Sequence, residues 1–221
     1  MLEGFDPSSV RAVCFDFDGV ILESADIKTD AFADLFADAT TQQRAAFVRY
    51  HLDHQGISRY EKIRWAYQNL FERPLSQQES EALGQRFSDL ALEKILGVPM
   101  VEGARELLDC LSGKRPMAVA SGTPEGELRS IVDQRGLAPY FVAVHGSPSS
   151  KASILTALMA EWKLEPGSVL MIGDASTDHE AANECGTQFV ARTVPSTATE
   201  WQAKTRWCVP DLRPLAAAFS A

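Results

Sequence analysis

The stretch "VCFDFDGVIL", residues 13–22, places Asp16 and Asp18 one residue apart at the end of an apolar run. Side chains alternate along a strand, so the two carboxylates lean one way and Phe17 the other. Carboxylates this close repel each other unless a cation neutralises them or one of them holds a proton. A hard divalent ion such as Mg²⁺ suits oxygen ligands. Gly19 lets the backbone turn sharply and approach a ligand. The same residues also read as a strand-ending turn, because Asp-Gly commonly marks turns. Three further stretches carry chemistry of a related kind. "VASGT" sets Ser121, Gly122 and Thr123 at a strand end, where a hydroxyl and backbone N–H groups can meet an anion. Thr123 before Pro124 reads equally as a helix N-cap. "GSPSSK" puts Lys151 at the start of a helix, where the helix dipole disfavours a cation. That misfit points to a second job, balancing an anionic ligand; a solvated surface lysine is the plainer alternative. In "MIGDASTD", Asp174 ends an apolar strand and Asp178 follows four residues on. Asp174 can complete a metal site, with Asp178 behind it orienting the ligands or the lysine. Capping of the next helix is the alternative.

The elements that must position these residues are legible from periodicity. Val10 to Phe15 reads as a buried parallel strand. From about Glu23 to Leu96 the pattern is helical, with apolar residues three and four apart in "ADIKTDAFADLF", "TQQRAAFVRYHLDH", "SRYEKIRWAYQNLF" and "SQQESEALGQRFSDLALEKIL". Ser58 with Glu61, and Ser76 with Glu79, read as capping boxes. After "GVPMVEG" the chain alternates between helix and strand. The strands are "PMAVAS", "YFVAVHG", "SVLMIGD" and "TQFVAR", and the helices "EGARELLDCL", "PEGELRSIVDQRG", "KASILTALMAEW" and "DHEAANECG". The tail "WCVPDLRPLAAAF" adds a strand and a helix. This alternation implies an α/β fold: a Rossmann-like parallel sheet with helices on both faces, interrupted early by an all-helical insertion. The expected domains are residues 1–21 and 97–221 for the α/β core and 22–96 for the helical insertion. In open α/β sheets, sites form beyond the carboxyl ends of the strands, where all four stretches fall.

Composition narrows the partners. The chain has 221 residues and a net charge of −9, with 21 basic and 30 acidic side chains. No basic stripe for nucleic acid is present, so small solutes or proteins are the expected partners. Cys14, Cys110, Cys185 and Cys208 are scattered without a CxxC pair, as expected of reduced thiols. The N-terminus lacks a signal-peptide pattern, and no stretch approaches the roughly 20 apolar residues of a membrane span. A cytoplasmic protein with no membrane partner is expected.

Two carboxylates, a hydroxyl, an ammonium and two more carboxylates, in this order at strand ends, resemble the haloacid dehalogenase (HAD) superfamily of phosphohydrolases. "DFDGV", "SGT", Lys151 and "GDASTD" match its four motifs, and the helical segment resembles its early-inserted cap. The resemblance covers nearly the whole chain. It implies Asp16 as the nucleophile that forms an aspartyl-phosphate. It implies Mg²⁺ held by Asp16, the backbone carbonyl of Asp18, and Asp174, with Asp178 behind them. It implies Asp18 as the acid and base for the leaving alcohol and the attacking water. Ser121, Gly122, Thr123, Gly19 and Lys151 would surround the phosphoryl oxygens. The implied partner is a small phosphate ester, a sugar phosphate or phosphoglycolate-like compound.

The cap would set substrate choice by closing over the site. In "HQGISRYEKIRW", Gly56 loosens the backbone, and Arg59 and Lys62 are expected to face an anionic or sugar-like leaving group; a capped helix with solvated basic residues is the alternative. The segment also resembles a GxSRxxK pattern of a HAD subgroup of sugar-phosphate phosphatases. A dehalogenase of the same superfamily does without the second aspartate, so Asp18 favours phosphate chemistry. A phosphomutase and a non-catalytic ligand-sensing module are the alternatives. A receiver domain is smaller and lacks the insertion. Aromatic residues Phe32, Phe36, Phe47, Trp65 and Tyr67 are expected in the cap core rather than on a dimer surface, which leaves monomer and dimer both open.

Overall fold

Strand β1 (Ala12–Phe15) is buried along its whole length, as a central parallel strand must be. The computed structural model describes residues 2–54 and 57–221, so Gly56 lies outside the described residues. Among these, β1 pairs in parallel with β2 (Met117–Pro124) and β4 (Val169–Gly173), Val13 standing opposite both Met117 and Leu170. With β3 (Ala143–Ser147), β5 (Gln188–Arg192) and β6 (Cys208–Val209), they form one sheet in the order β3-β2-β1-β4-β5-β6. The strand order reverses on passing from β1 to β4. That reversal opens a crevice beyond the carboxyl ends of these two strands. Asp16 follows β1 and Asp174 follows β4, so the topology alone sets them side by side.

Alternation along the strands splits the core into two faces. Val13, Phe15, Val119 and Ile172 point to the face covered by α5 (Ala104–Leu111), α6 (Glu125–Gln134) and α10 (Arg213–Ser220). Cys14, Ala118, Ala120 and Met171 point to the face covered by α7 (Lys151–Trp162), α8 (Ser176–Cys185) and α9 (Ala198–Lys204). Helix α9 has no counterpart in the sequence reading, because Trp201 is its one buried residue and so short a segment shows no apolar period. All four cysteines are free thiols, as expected. No helix of the described residues is long and apolar enough to cross a membrane.

Between β1 and α5 stand α1 (Ala25–Leu35), α2 (Thr41–Asp53), α3 (Arg59–Asn69) and α4 (Gln77–Gly97). Phe32, Phe36, Phe47 and Tyr67 are buried among these helices, as expected. Trp65 is only partly covered and stacks on Tyr50 at 3.8 Å between centroids. The Ser76–Glu79 capping box is closed in both directions. The Ser58–Glu61 box is not: Ser58 Oγ accepts from the Tyr60 N–H instead. Thr40 and Gln43 close a capping box at α2 that the sequence reading passed over. The chain leaves and rejoins the core through adjacent extended segments, with Glu23 N–H donating to Pro99 O and Val101 N–H to Ile21 O, both at 3.1 Å.

Candidate active site

Asp16 sits one residue beyond β1, its N–H donating to Ile172 O of β4 at 2.9 Å. That bond fixes the side chain over the crevice. Gly19 then turns the chain with φ +77°, and a Cβ there would come within 2.1 Å of Asp174 Oδ2. Glycine is required on both counts. Gly173 is equally constrained, since its Cβ would meet Asp178 Cβ at 2.2 Å. Arg192, at the end of β5, holds the turn from beneath by donating to Gly19 O at 3.2 Å and pairing with Glu23 at 2.6 Å.

Carboxylate oxygens of Asp16, Asp174 and Asp178 lie within 4.8 Å of one another. Lys151 Nζ approaches Asp178 Oδ1 at 2.5 Å and Asp16 Oδ1 at 3.1 Å, so the lysine at the start of α7 is spent on anions, as its position against the helix dipole implied. Asp178 is fully buried, and its other oxygen accepts from the Ala175 N–H at 3.0 Å. It therefore orients the lysine and ties the start of α8 together. Asp16 Oδ1 is buried and accepts no well-aligned hydrogen bond among the described groups. Burial, followed by Asp178 and Asp18, raises the Asp16 carboxyl above the ordinary range although Lys151 opposes it. Asp174 is raised well above its ordinary value by burial, then by Asp16 and Asp178. A buried oxygen with no well-aligned hydrogen bond, inside a cluster whose carboxylates resist ionising together, fits a hard divalent cation.

Asp18 stands apart from this cluster. Its carboxylate accepts from Ser24 Oγ at 2.6 Å and Thr123 Oγ1 at 3.1 Å, and it pairs with Lys28. Burial pushes its pKa up, but Lys28 and these bonds outweigh burial and hold it below the usual carboxylate value. The metal expectation for Asp18 therefore does not extend to its side chain, whose oxygens are turned to Lys28, Ser24 and Thr123. Thr123 is not the N-cap of α6; Pro124 takes that position, and the threonine hydroxyl bridges Asp18 and Lys28. Ser121 Oγ accepts from the Thr123 N–H at 3.1 Å, which leaves its own hydrogen to donate across the crevice.

Helices α1–α4 roof the crevice and enclose a cavity of about 60 Å³. Asp16, Asp18, Ser121, Gly122, Thr123 and Asp174 line its floor, and Lys28, His51, Arg59 and Lys62 its roof. Both cap residues singled out in the sequence thus reach the cavity wall, but neither is a solvated surface cation. Arg59, 5% exposed, pairs with Glu127 of α6 at 2.7 Å, donates to Gly84 O and Ser88 Oγ, and covers the Phe87 ring at 4.5 Å. It fastens roof to core. Lys62 is 3% exposed and donates to His51 Nδ1 at 2.8 Å. Lys28, His51 and Glu127 were missed in the sequence. His51 alone left a signal, four residues after Phe47 on the apolar face of α2; Lys28 and Glu127 read as ordinary surface charges.

A parallel α/β sheet with an acidic cluster at its switch point defines the class of Rossmann-like proteins that bind ligands at strand ends. The sequence profile of the haloacid dehalogenase-like hydrolases matches residues 10–186, and the chain belongs to that family. No curated protein matches the sequence. Among solved structures it is similar to CbbY from Rhodobacter sphaeroides in complex with phosphate, with TM-score 0.76, 17% identity, and 96% of this chain and 100% of that chain covered. It is also similar to β-phosphoglucomutase from Clostridium difficile (TM-score 0.75, 17% identity, 96% and 97% covered). A predicted phosphoglycolate phosphatase from Haemophilus somnus gives TM-score 0.72 at 18% identity, with 94% and 96% covered.

Proposed function

We propose that this hydrolase is a Mg²⁺-dependent phosphomonoesterase. It would act on a small phosphorylated metabolite, a sugar phosphate or phosphoglycolate-like compound, through an aspartyl-phosphate on Asp16. The observation that carries this reading is the clustering of the buried Asp16 Oδ1, with the Lys151 ammonium at 3.1 Å, and the Asp174 and Asp178 carboxylates within 4.8 Å. The solved CbbY structure, which holds phosphate, shares the fold and supports the reading.

Asp16, Asp174 and the backbone carbonyl of Asp18 would hold the Mg²⁺. When bound, the cation screens the anionic nucleophile from the anionic phosphate and stabilises transferring charge. A carboxylate oxygen of Asp16 attacks phosphorus in line while the bond to the leaving oxygen breaks. Lys151, the Ser121 hydroxyl and the Gly122 N–H hold the phosphoryl oxygens, positioning and stabilising the charge they carry. Asp18 gives a proton to the leaving alcohol. It then takes one from the water that attacks the aspartyl-phosphate, which restores Asp16 and frees inorganic phosphate. Asp18 is ionised while Lys28 is paired with it; once the leaving oxygen displaces Lys28 and Thr123, burial favours the protonated carboxyl that makes this transfer. The segment 22–96 is the cap in this reading. A cavity of about 60 Å³ is small for a sugar phosphate, and α1–α4 would move off the sheet to admit one.

Phosphate release is measured from sugar phosphates, phosphoglycolate, nucleotides and an aryl phosphate, with Mg²⁺, with chelator, and with Asp16→Asn. Turnover that needs the cation and falls at least ~10³-fold in the variant is expected. Absence of turnover on every ester, with the protein folded and the cation bound, would sink the reading.

A further inference from the structure

Four cations approach the cavity and its floor. Lys28 pairs with Asp18, Arg59 with Glu127, and Lys151 with Asp16 and Asp178. Lys62 differs. It is 3% exposed and lines the cavity, yet among the described residues no carboxylate lies within ion-pairing distance of it. Its hydrogen-bond partner is an imidazole, His51 Nδ1 at 2.8 Å. The direction of that bond is fixed by what lies beyond it. An ammonium only donates, so Nδ1 accepts and Nε2 carries the ring proton. Nε2–H then donates to Thr29 Oγ1 at 3.1 Å, and the Thr29 hydroxyl donates on to Ala25 O. The chain ends on a backbone carbonyl of α1 and has no slack. Phe32 supports it from one side, 4.9 Å from the His51 ring and 5.7 Å from Lys62 Nζ. The imidazole accepts one N–H of Lys62 and leaves the others for the cavity.

A buried ammonium without a counter-charge is unfavourable, and an anion brought into the cavity would relieve it. We infer that Lys62, held in place by His51 and Thr29, receives a second anionic group of the substrate, a carboxylate or a second phosphate on the leaving-group side. His51 is a positioning residue, and Lys62 selects the substrate. This rests on the phosphomonoesterase reading above. It also makes recognition depend on pH. The charged groups around Lys62 are Lys28 on α1, His51 on α2, Asp18 after β1, Lys151 on α7 and Glu61 on its own helix. Burial, then Lys28, lowers Lys62 to about 7, and Asp18 opposes the shift. Burial, then Lys62, lowers His51 to about 3, so the imidazole stays neutral and keeps its acceptor throughout the working range.

The test compares matched esters: phosphoglycolate with 2-hydroxyethyl phosphate, and a sugar bisphosphate with the sugar monophosphate. An aryl phosphate reports the phosphatase reading separately. The wild-type protein should favour the acidic member of at least one pair by about 10- to 100-fold in kcat/KM, as expected for a charge-assisted bond. Which pair responds tells carboxylate from phosphate. The preference should collapse as pH is raised from about 6 to about 9, because Lys62 then loses its proton. Dividing one member by the other removes the pH dependence they share. Lys62→Met should bring the two members together. His51→Phe keeps the ring but removes the acceptor, and should raise KM for the acidic ester about tenfold with a smaller change in kcat; His51→Gln should recover much of it. Aryl phosphate turnover with no acidic preference in either pair, or a preference that ignores pH and Lys62→Met, overturns the inference and leaves the phosphatase reading standing. If no ester is turned over, both fall. The pH arm uses the wild-type protein, so a variant that fails to fold does not remove the test.

Discussion

At the scale of single residues, Asp16 and Asp18 differ by environment, not by chemistry. Asp16 is surrounded by other carboxylates and relieved by Lys151 and the Phe17 N–H. Asp18 is ringed by donors. Without a cation these environments favour the proton on Asp16 and the charge on Asp18; a divalent ion at Asp16 and the departure of Lys28 from Asp18 would reverse that order and fit the pair for attack and for proton transfer. Asp18→Asn keeps the shape and removes the proton. Turnover of an alkyl phosphate should fall about 10²- to 10⁴-fold. An aryl phosphate, whose leaving group departs without a proton, should lose far less. Steady-state kinetics on the two esters check this, and equal losses on both would deny Asp18 the proton-transfer role.

Among the elements, the fastening between roof and core stands out. Arg59 of α3 and Ser88 of α4 both donate to Glu127 of α6, and the Arg59 guanidinium stands over the Phe87 ring. The sequence led us to expect Arg59 turned toward the leaving group. Instead its guanidinium donates to protein acceptors, because Gly84 O, Ser88 and Glu127 surround it closely. Glu127→Ala leaves this nearly buried cation without its carboxylate. The loss expected is about 1.5–3 kcal/mol, the usual worth of a hydrogen bond to a charged group. Chemical denaturation measures it, and an unchanged midpoint would show that the link carries no stability. The same variant should also make segment 22–96 easier to cleave by protease, since the roof opens more often.

At the scale of the whole molecule, the sheet gathers negative charge at the carboxyl ends of its two central strands. The folded-state pKa values of Asp16 and Asp174 lie above their unfolded values. Their contribution is thus fully present below the unfolded pKa, near 3.8, and is lost as pH rises through the folded values. Near neutral pH the metal-free protein is strained by this repulsion, and a divalent cation that binds the folded state alone relieves it. At a cation concentration of 100 times its Kd the gain is about 2.7 kcal/mol. For a chain of this length that is a rise in Tm of about 5–10 °C. Calorimetry with Mg²⁺ and with chelator reads it directly. Asp174→Asn should raise the metal-free Tm and erase the cation's effect; a cation shift that survives in this variant would place the metal elsewhere.

Much of this was legible without coordinates. The apolar runs ending in Asp16, Ser121 and Asp174 identified parallel strands and their carboxyl ends, because buried strands are apolar throughout and chemistry collects where they stop. Lys151 was legible from its misfit with a helix start. The floor of the site could be read because each of its residues is fixed by local sequence next to a strand. The roof could not. Lys28, His51 and Glu127 lie on separate helices, Lys28 and Glu127 look like ordinary surface charges and His51 shows only its place on the apolar face of α2, and Arg59 and Lys62 could be singled out but not given partners. Only the packing of α1–α4 over the sheet decided that Arg59 meets Glu127, that Lys28 meets Asp18, and that Lys62 is left facing the cavity with a neutral imidazole behind it. Local sequence governs hydrogen bonds a few residues long, whereas these contacts join different elements, 10 to 68 residues apart, and depend on how helices dock.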